Sequence, residues 1–235
     1  MKNVTIVFNK NMKMSDLIDA DYHLLQLLHR LNISLGFGDK SIKAVCEANG
    51  FDADCFIFLA NFQSNKSTLN VEEAFESLPL KPFLDYLEMS HNHFINIQLP
   101  NLRRKLKNLL DSSDQNISEM ILRFFDRYSN DVYEHMTYED EVVFPYIRSL
   151  LNKQLYQEDY TIDVFKDRHD DIEGKMDELK QILLKYIPSE KGDQLLLTNL
   201  LMDLYISEED LAVHTYIEDE LVIPRVRHIE CELKK

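Results

Sequence analysis

Four long segments of this chain carry apolar residues three and four positions apart, which is the spacing of one face of an α-helix. The helices are expected over residues 82–110, 117–151, 161–187 and 193–229. The connections between them are short, and they cover residues 111–115, 152–159 and 188–192. Short connections make consecutive helices antiparallel neighbours. The chain is therefore predicted to be all-α, with an up-down-up-down four-helix bundle as its main part.

A smaller helical unit is expected before the bundle. Helical patterns cover residues 16–31 and 40–49 and resume at Asp52, with turns at Gly36-Phe37-Gly38 and at Gly50. Polar residues without periodicity follow from Gln63. The predicted organisation is a small N-terminal domain over residues 1–70, a linker over 71–80 and the bundle over 81–235.

One histidine interrupts the apolar stripe of each bundle helix. The second stripe, for example, is expected to consist of Ile121, Phe124, Tyr128, Val132, His135, Glu139 and Val142. A buried imidazole costs free energy unless its ring finds a partner. The four interrupting histidines are His91, His135, His169 and His214. Taken singly, each is compatible with a core histidine that hydrogen-bonds to a nearby acid.

The second and fourth helices add a glutamate four residues after the histidine, giving His135-Met-Thr-Tyr-Glu139 and His214-Thr-Tyr-Ile-Glu218. This step places both side chains on one helical face about one turn apart, so their ligand atoms can converge on one metal. His93 is an alternative to His91. The neighbouring acids, Asp140, Glu141, Asp219 and Glu220, are expected to be solvated or to support the ligands, and either aspartate could replace its neighbouring glutamate.

The two motifs belong to a duplicated helix pair. Pro145 and Pro224 each follow their histidine by ten residues, and both are interpreted as helix kinks or ends. His91 precedes His135 by 44 residues, and His169 precedes His214 by 45. Such pseudo-twofold symmetry fits two metals with bridging carboxylates. Imidazole and carboxylate ligands suit iron, manganese or zinc, and a bundle with two bridging carboxylates favours iron or manganese.

The bulk composition excludes several other classes of protein. A formal net charge of −15 argues against a nucleic-acid partner and against an anionic membrane surface. The cysteines, Cys46, Cys55 and Cys231, lack Cys-x-x-Cys spacing, which argues against a disulfide framework or a cysteine metal site. No segment resembles a signal peptide or a membrane span, so a cytoplasmic protein is expected.

Residues 80–230 resemble the hemerythrin-like domain of the bacterial iron–sulfur cluster repair di-iron proteins. Besides the two His-x3-Glu motifs, the resemblance rests on Phe144-Pro145, Pro224, Arg168-His169-Asp170-Asp171 and Ser90-His91 to Leu99-Pro100. The N-terminal unit also resembles that family's small leading domain, on Met14-Ser-Asp-Leu, Leu35-Gly-Phe-Gly-Asp-Lys-Ser and Ala44-Val-Cys-Glu-Ala-Asn-Gly.

The resemblance implies a hemerythrin-like bundle with two non-haem iron ions and a role in repairing iron–sulfur clusters damaged by nitric oxide or oxidative stress. It implies terminal ligands His91, His135, His169 and His214, and bridging ligands Glu139 and Glu218. Iron–sulfur proteins would be the clients, oxygen or nitric oxide the small ligands, and a homodimer is a candidate assembly. The rival functions are an oxygen or nitric oxide sensor or store, a nitric oxide or peroxide reductase, and a metal-free interaction bundle. Whether the protein is an enzyme stays open.

Two departures from that family's pattern concern the proposed chemistry. Where the family carries Cys-Cys-Gly-Gly, this chain has Leu35-Gly-Phe-Gly, and Cys46 nearby is interpreted as a packed residue. The family also often has a histidine in the connection after the first bundle helix. This chain has none there, which leaves Asp111 or Asp114 as substitutes, or a more open iron.

Overall fold

The computed structural model of the chain is about 82% helical. It describes residues 7–64, 70–111, 114–153, 160–166, 172–186 and 194–233. No strand occurs within these ranges. The all-α prediction is therefore confirmed. His169 lies outside the described residues.

The chain forms two compact units, Met1–Ser90 and His91–Lys235. The helices of the first unit are α1 (Met14–Ala20), α2 (Leu24–Arg30), α3 (Ile42–Ala48), α4 (Ala53–Ser64), α5 (Val71–Glu76) and the beginning of α6 (Lys81–His93). Residues 71–80, expected to be a linker, thus contain α5. The side chain of Ser41 caps α3 by accepting a hydrogen bond from the Ala44 N–H.

The prediction of a single helix over residues 16–31 is wrong, because the helix is interrupted at Asp21. This residue has an extended backbone, with φ −150° and ψ 99°. Its carboxylate accepts hydrogen bonds from the His23 N–H at 3.1 Å and from the Ser64 hydroxyl at 2.5 Å. A short polar side chain that bonds to the local backbone competes with the helical hydrogen-bond pattern. The chain consequently forms α1 and α2 with a turn between them.

The second unit contains the bundle helices. Its α-helices are α7 (Leu99–Leu110), α8 (Gln115–Tyr138), α9 (Phe144–Leu151), α10 (Ile162–Lys166), α11 (Ile172–Tyr186), α12 (Gln194–Tyr216) and α13 (Ile223–Leu233). Three wider π-helical segments join them: π1 (Phe94–Gln98), π2 (Glu139–Val143) and π3 (Ile217–Val222). The first helix of the bundle therefore runs without a break from α6 through π1 into α7. The second consists of α8, π2 and α9, and the fourth of α12, π3 and α13.

The helices of this unit close into a ring. Helix α7 packs against α8 and α12, and α11 packs against the same two helices. The core inside the ring is apolar and includes Leu102, Leu106, Phe125, Tyr128, Met176, Leu179, Leu200 and Leu204. Asp114 caps α8, since its carboxylate accepts hydrogen bonds from the N–H groups of Asn116 and Ile117. The predicted four-helix bundle is confirmed.

The core stripe of the second helix differs from its prediction at two positions. Phe125 is buried, whereas Phe124 is only partly buried at the edge of the core. Val143 is buried in place of Val142. The second difference has a local cause, because π2 contains an extra residue per turn and so rotates the residues that follow it.

No described helix combines the length and the low charge that crossing the apolar part of a bilayer requires.

Candidate metal centre

Each π segment ends two residues before a proline, namely Pro100, Pro145 or Pro224. The residue that precedes the proline donates its N–H five positions back: Leu99 to the Phe94 carbonyl, Phe144 to that of Glu139, and Ile223 to that of Glu218. A proline has no N–H for the carbonyl four residues before it, and its ring clashes with that carbonyl in a regular α-helix. A π turn accommodates both effects without ending the helix. The predicted kinks at Pro145 and Pro224 are therefore π turns.

Four of the predicted site residues meet inside the second unit. Ligand atoms of His91, Glu139, His214 and Glu218 all lie within 4.8 Å of one another. All four side chains are buried. The Nε2 atoms of His91 and His214 are 3.0 Å apart, and Nε2 of His214 is 3.1 Å from Oε1 of Glu218. Burying two carboxylates together is unfavourable unless positive charge lies between them.

Glu139 lies between two histidines of different helices. Its Oε2 is 3.2 Å from Nε2 of His91, and its Oε1 is 3.2 Å from Nε2 of His135. The His135 side chain is 17% exposed and is the more accessible of the two. Each oxygen of one carboxylate thus faces a different imidazole. This is the arrangement that a carboxylate needs to bridge two cations.

The ring of His91 is oriented by Asp140. Its Nδ1 lies 2.7 Å from Oδ1 of Asp140, a carboxylate that is about one-third exposed. An Nδ1–H donated to Asp140 leaves the Nε2 lone pair directed at the cluster, as in metal-bound histidines. Although burial opposes the charged ring, hydrogen bonds to Asp140, Glu139 and Glu218 raise the pKa of His91 well above its usual value. The site therefore attracts positive charge, and a proton and a metal compete for it.

Glu218 is strongly biased towards its charged form. Burial and repulsion from Glu139 raise its pKa, but attraction and hydrogen bonding to His214 and His91 outweigh them and lower it. Its Oε2 is buried and receives no hydrogen bond within the described part of the chain. A buried carboxylate oxygen without a donor is costly. The donor set and this oxygen fit a bound metal cation.

Aromatic rings enclose the cluster on two sides. Phe144 stacks on His91 with ring centroids 5.4 Å apart and planes 15° apart. Phe94 meets His214 edge-on at 6.1 Å. Both aromatic residues are placed by π segments, since Phe94 begins π1 and Phe144 directly follows π2. Exclusion of water by these rings strengthens every charge interaction inside the site.

Comparison with known protein families identifies the domain that contains this histidine and glutamate cluster. The model of the hemerythrin HHE cation binding domain matches residues 83–226, which is more than half of the chain. The chain belongs to the hemerythrin HHE cation-binding family. Its hemerythrin domain is a metal-binding domain with a buried histidine and glutamate cluster. A search of curated proteins finds no relative that matches.

The other candidate ligands are not part of the group of four residues. His135 lies beside Glu139 but outside the group of four, and His169 lies outside the described residues. His93 is not part of the group either. Asp111 is exposed at the end of α7, and Asp114 caps α8, so neither belongs to the described cluster. The role of Asp140, expected to be solvation or ligand support, is now specific: it orients His91.

Asp140→Asn tests the support of His91. We expect the iron(II) affinity to fall roughly 10- to 100-fold, which is the usual effect of losing the carboxylate behind a metal-bound histidine. Isothermal titration of the variant with iron(II) under anaerobic conditions measures this change. The matched control is Asp131→Asn, a half-buried aspartate of α8 that pairs with Lys175. An equal loss of affinity in both variants would contradict the role of Asp140.

The N-terminal unit lacks an accessible thiol among its described residues. Gly36 and Gly38, which stand where the cluster-repair proteins that this unit resembles carry Cys-Cys-Gly-Gly, have positive φ angles of 90° and 59° and form a turn. Cys46 and Cys55 are buried, and only Cys231 of the second unit is exposed. Burial, reinforced by Asp52, raises the pKa of the Cys46 thiol to about 12.

Thiol reactivity should follow this pattern. At about pH 8 the Cys46 thiol stays protonated, and the thiolate is the reactive form. A disulfide reagent such as Ellman's reagent should label one thiol per folded chain rapidly and three after denaturation. Cys231→Ser should remove the rapid phase. Rapid labelling of Cys46 in the folded protein would show that the N-terminal unit offers a reactive thiol.

Proposed function

We propose that this hemerythrin domain holds two non-haem iron ions and takes part in repairing iron–sulfur clusters damaged by nitric oxide or oxidative stress. The observation that carries the metal site is the convergence of two histidines and two glutamates within 4.8 Å in a buried interior. The proposed terminal ligands are His91, His135, His169 and His214. Glu139 and Glu218 are the proposed bridges.

The placement of Glu139 supports two ions rather than one. Its two oxygens face His91 and His135 separately, which creates one position on each side of the carboxylate. Imidazole and carboxylate ligands suit iron and manganese, and iron is the better match because the proposed role involves redox chemistry. Iron held there would supply open coordination positions for oxygen or nitric oxide. Asp140 fixes the His91 ring, and Phe94 and Phe144 limit the access of water.

The repair role is supported by the resemblance of both units to the cluster-repair proteins. The clients would be cytoplasmic iron–sulfur proteins, and the chain would work without nucleic acid or membrane. A second candidate function is reversible binding of oxygen or nitric oxide. It is favoured by the buried state of Cys46 and Cys55, which leaves the N-terminal unit without the accessible thiols of the family's Cys-Cys motif.

Iron loading followed by a transfer assay separates the two functions. Anaerobic reconstitution should give about two iron ions per chain. The loaded protein is then mixed with a nitric-oxide-damaged ferredoxin and a reductant, and the ferredoxin spectrum and the iron content of both proteins are measured. Repair predicts that the ferredoxin spectrum recovers while iron leaves this protein. Reversible gas binding with full iron retention supports the second function, and a ratio well below two irons contradicts both.

A further inference from the structure

Three tyrosines and a glutamate form a cluster beside the candidate metal centre. The hydroxyl of Tyr146, in α9, donates a hydrogen bond to Oε1 of Glu230, in α13, at 2.5 Å. Both residues are buried. The Tyr146 ring meets that of Tyr160 edge-on, with centroids 4.7 Å apart. The hydroxyl oxygens of Tyr160 and Tyr138 are 3.4 Å apart.

The tyrosine cluster is connected to the candidate metal centre by two consecutive residues of the chain. Tyr138 is the last residue of α8, and the next residue is Glu139, which faces His91 and His135. Three phenol side chains thus connect a buried carboxylate to a residue of the proposed iron site. Glu230 is held by a second hydrogen bond, because its Oε1 also accepts from the Ile162 N–H at 2.8 Å.

The Tyr146 and Glu230 pair has the properties of a proton-coupled electron donor. A phenol is hard to oxidise while it keeps its proton, and a carboxylate at hydrogen-bond distance can accept that proton as the electron leaves. Burial and the hydrogen bond to Glu230 raise the pKa of Tyr146, so the phenol is protonated at rest. The proton has a short path, because the Tyr146 hydroxyl donates directly to Oε1 of Glu230 at 2.5 Å.

We propose that Tyr146 supplies an electron towards the proposed iron site through Tyr160 and Tyr138, while Glu230 takes its proton. This inference rests on the proposed iron site. The oxidant is hydrogen peroxide, whose reduction to two water molecules consumes two electrons and two protons. One electron comes from Tyr146, whose O–H bond breaks to leave a neutral tyrosyl radical and a protonated Glu230. The second electron would be supplied by iron(II) held at His91, Glu139, His214 and Glu218, and solvent supplies the two protons.

Two oxidation experiments on the full chain test the proposal. In the first, iron-loaded protein is mixed with hydrogen peroxide and frozen rapidly. In the second, metal-free protein is oxidised by photogenerated ruthenium(III) tris-bipyridine. Electron paramagnetic resonance with ring-deuterated tyrosine identifies a tyrosyl radical in each case. We expect the radical in both experiments with the wild type. In Tyr146→Phe the radical formed with iron and peroxide should be lost, whereas the photochemical signal should fall only in part, because ruthenium(III) also oxidises exposed tyrosines such as Tyr22 and Tyr186.

Two further variants separate redox chemistry from a structural role. Glu230→Gln keeps an oxygen that can accept from Tyr146 and Ile162 but is a far weaker base, so the radical yield should fall at least about tenfold. Tyr128→Phe, a buried tyrosine of α8 outside the cluster, should leave the radical unchanged. Unfolding curves of all variants confirm that each is folded.

The outcomes distinguish this inference from the proposed function. Failure of the wild type to bind iron contradicts the metal site, whereas the photochemical experiment still reports on Tyr146. A radical formed with iron and peroxide that persists in Tyr146→Phe, or that is unaffected in Glu230→Gln, overturns the proposal. So does a radical that forms photochemically but not with iron and peroxide, because the electron then has no route to the centre.

Discussion

Glu139→Gln should reduce the iron(II) affinity of the hemerythrin domain by more than about 100-fold. Loss of a carboxylate behind a metal-bound histidine already costs roughly 10- to 100-fold, and Glu139 itself faces both His91 and His135. A neutral amide offers one weak ligand oxygen instead of two charged ones. Anaerobic titration with iron(II) and the iron-to-protein ratio after gel filtration measure the effect.

The free energy of unfolding provides an independent measurement of the loss of iron binding in Glu139→Gln. A metal that binds only the folded state at about 100 times its Kd stabilises it by about 2.7 kcal/mol. The wild type should gain this stability on iron addition, whereas Glu139→Gln, with a Kd more than about 100-fold larger, should gain less than about 0.4 kcal/mol at the same iron concentration. The control is Glu141→Gln, an exposed acid two residues further along π2. Full iron-dependent stabilisation of Glu139→Gln would disprove the bridging role.

Phe125→Ala should destabilise the bundle by about 3 to 5 kcal/mol, the usual cost of deleting a fully buried aromatic ring. Phe125 is 1% exposed and belongs to the core between the four bundle helices. The neighbouring Phe124 is only partly buried at the edge of that core. Phe124→Ala should therefore cost less than half as much.

Urea denaturation of the metal-free variants compares the two phenylalanines under the same conditions. Because typical domains are stable by only about 5 to 15 kcal/mol, Phe125→Ala also lowers the yield of folded protein. From the fold we expect Phe125→Ala to lower the free energy of unfolding more than Phe124→Ala does. A larger loss in Phe124→Ala would instead support the core stripe expected from the sequence.

Phe124 and Phe125 show which parts of the fold the sequence predicts. The approximate bounds of the bundle helices and the ring that they form follow from apolar spacing and connection length, and the described parts of these helices agree with them, whereas the single helix expected over residues 16–31 is wrong. Adjacent phenylalanines give no such guide, since they lie about 100° apart around the helix and a rotation by about half that angle exchanges which of them faces the core. The choice depends on packing against the other helices, which periodicity does not contain.

The site was predictable where the sequence repeats itself. His135 with Glu139, and His214 with Glu218, share a proline at the same distance, and a chance match of that kind is rare. The structure brings His91, Glu139, His214 and Glu218 together. Glu230 carried no comparable signal, because it resembles any acid in a terminal helix. Its partner Tyr146 is 84 residues away, and only the folded chain brings them together.

The π turns also determine how the bundle tolerates changes in length. Each residue of an α-helix advances the side-chain direction by about 100°, so one residue more or fewer redirects everything beyond it. The extra residue in π2 sets the direction from which Phe144 approaches His91, and Tyr146 follows on the same helix. A deletion inside π2 would keep the chain helical yet turn both rings away from their partners. The metal centre and the tyrosine cluster therefore both require the same rotation of the helix around its axis. The proline that follows each π turn maintains this rotation.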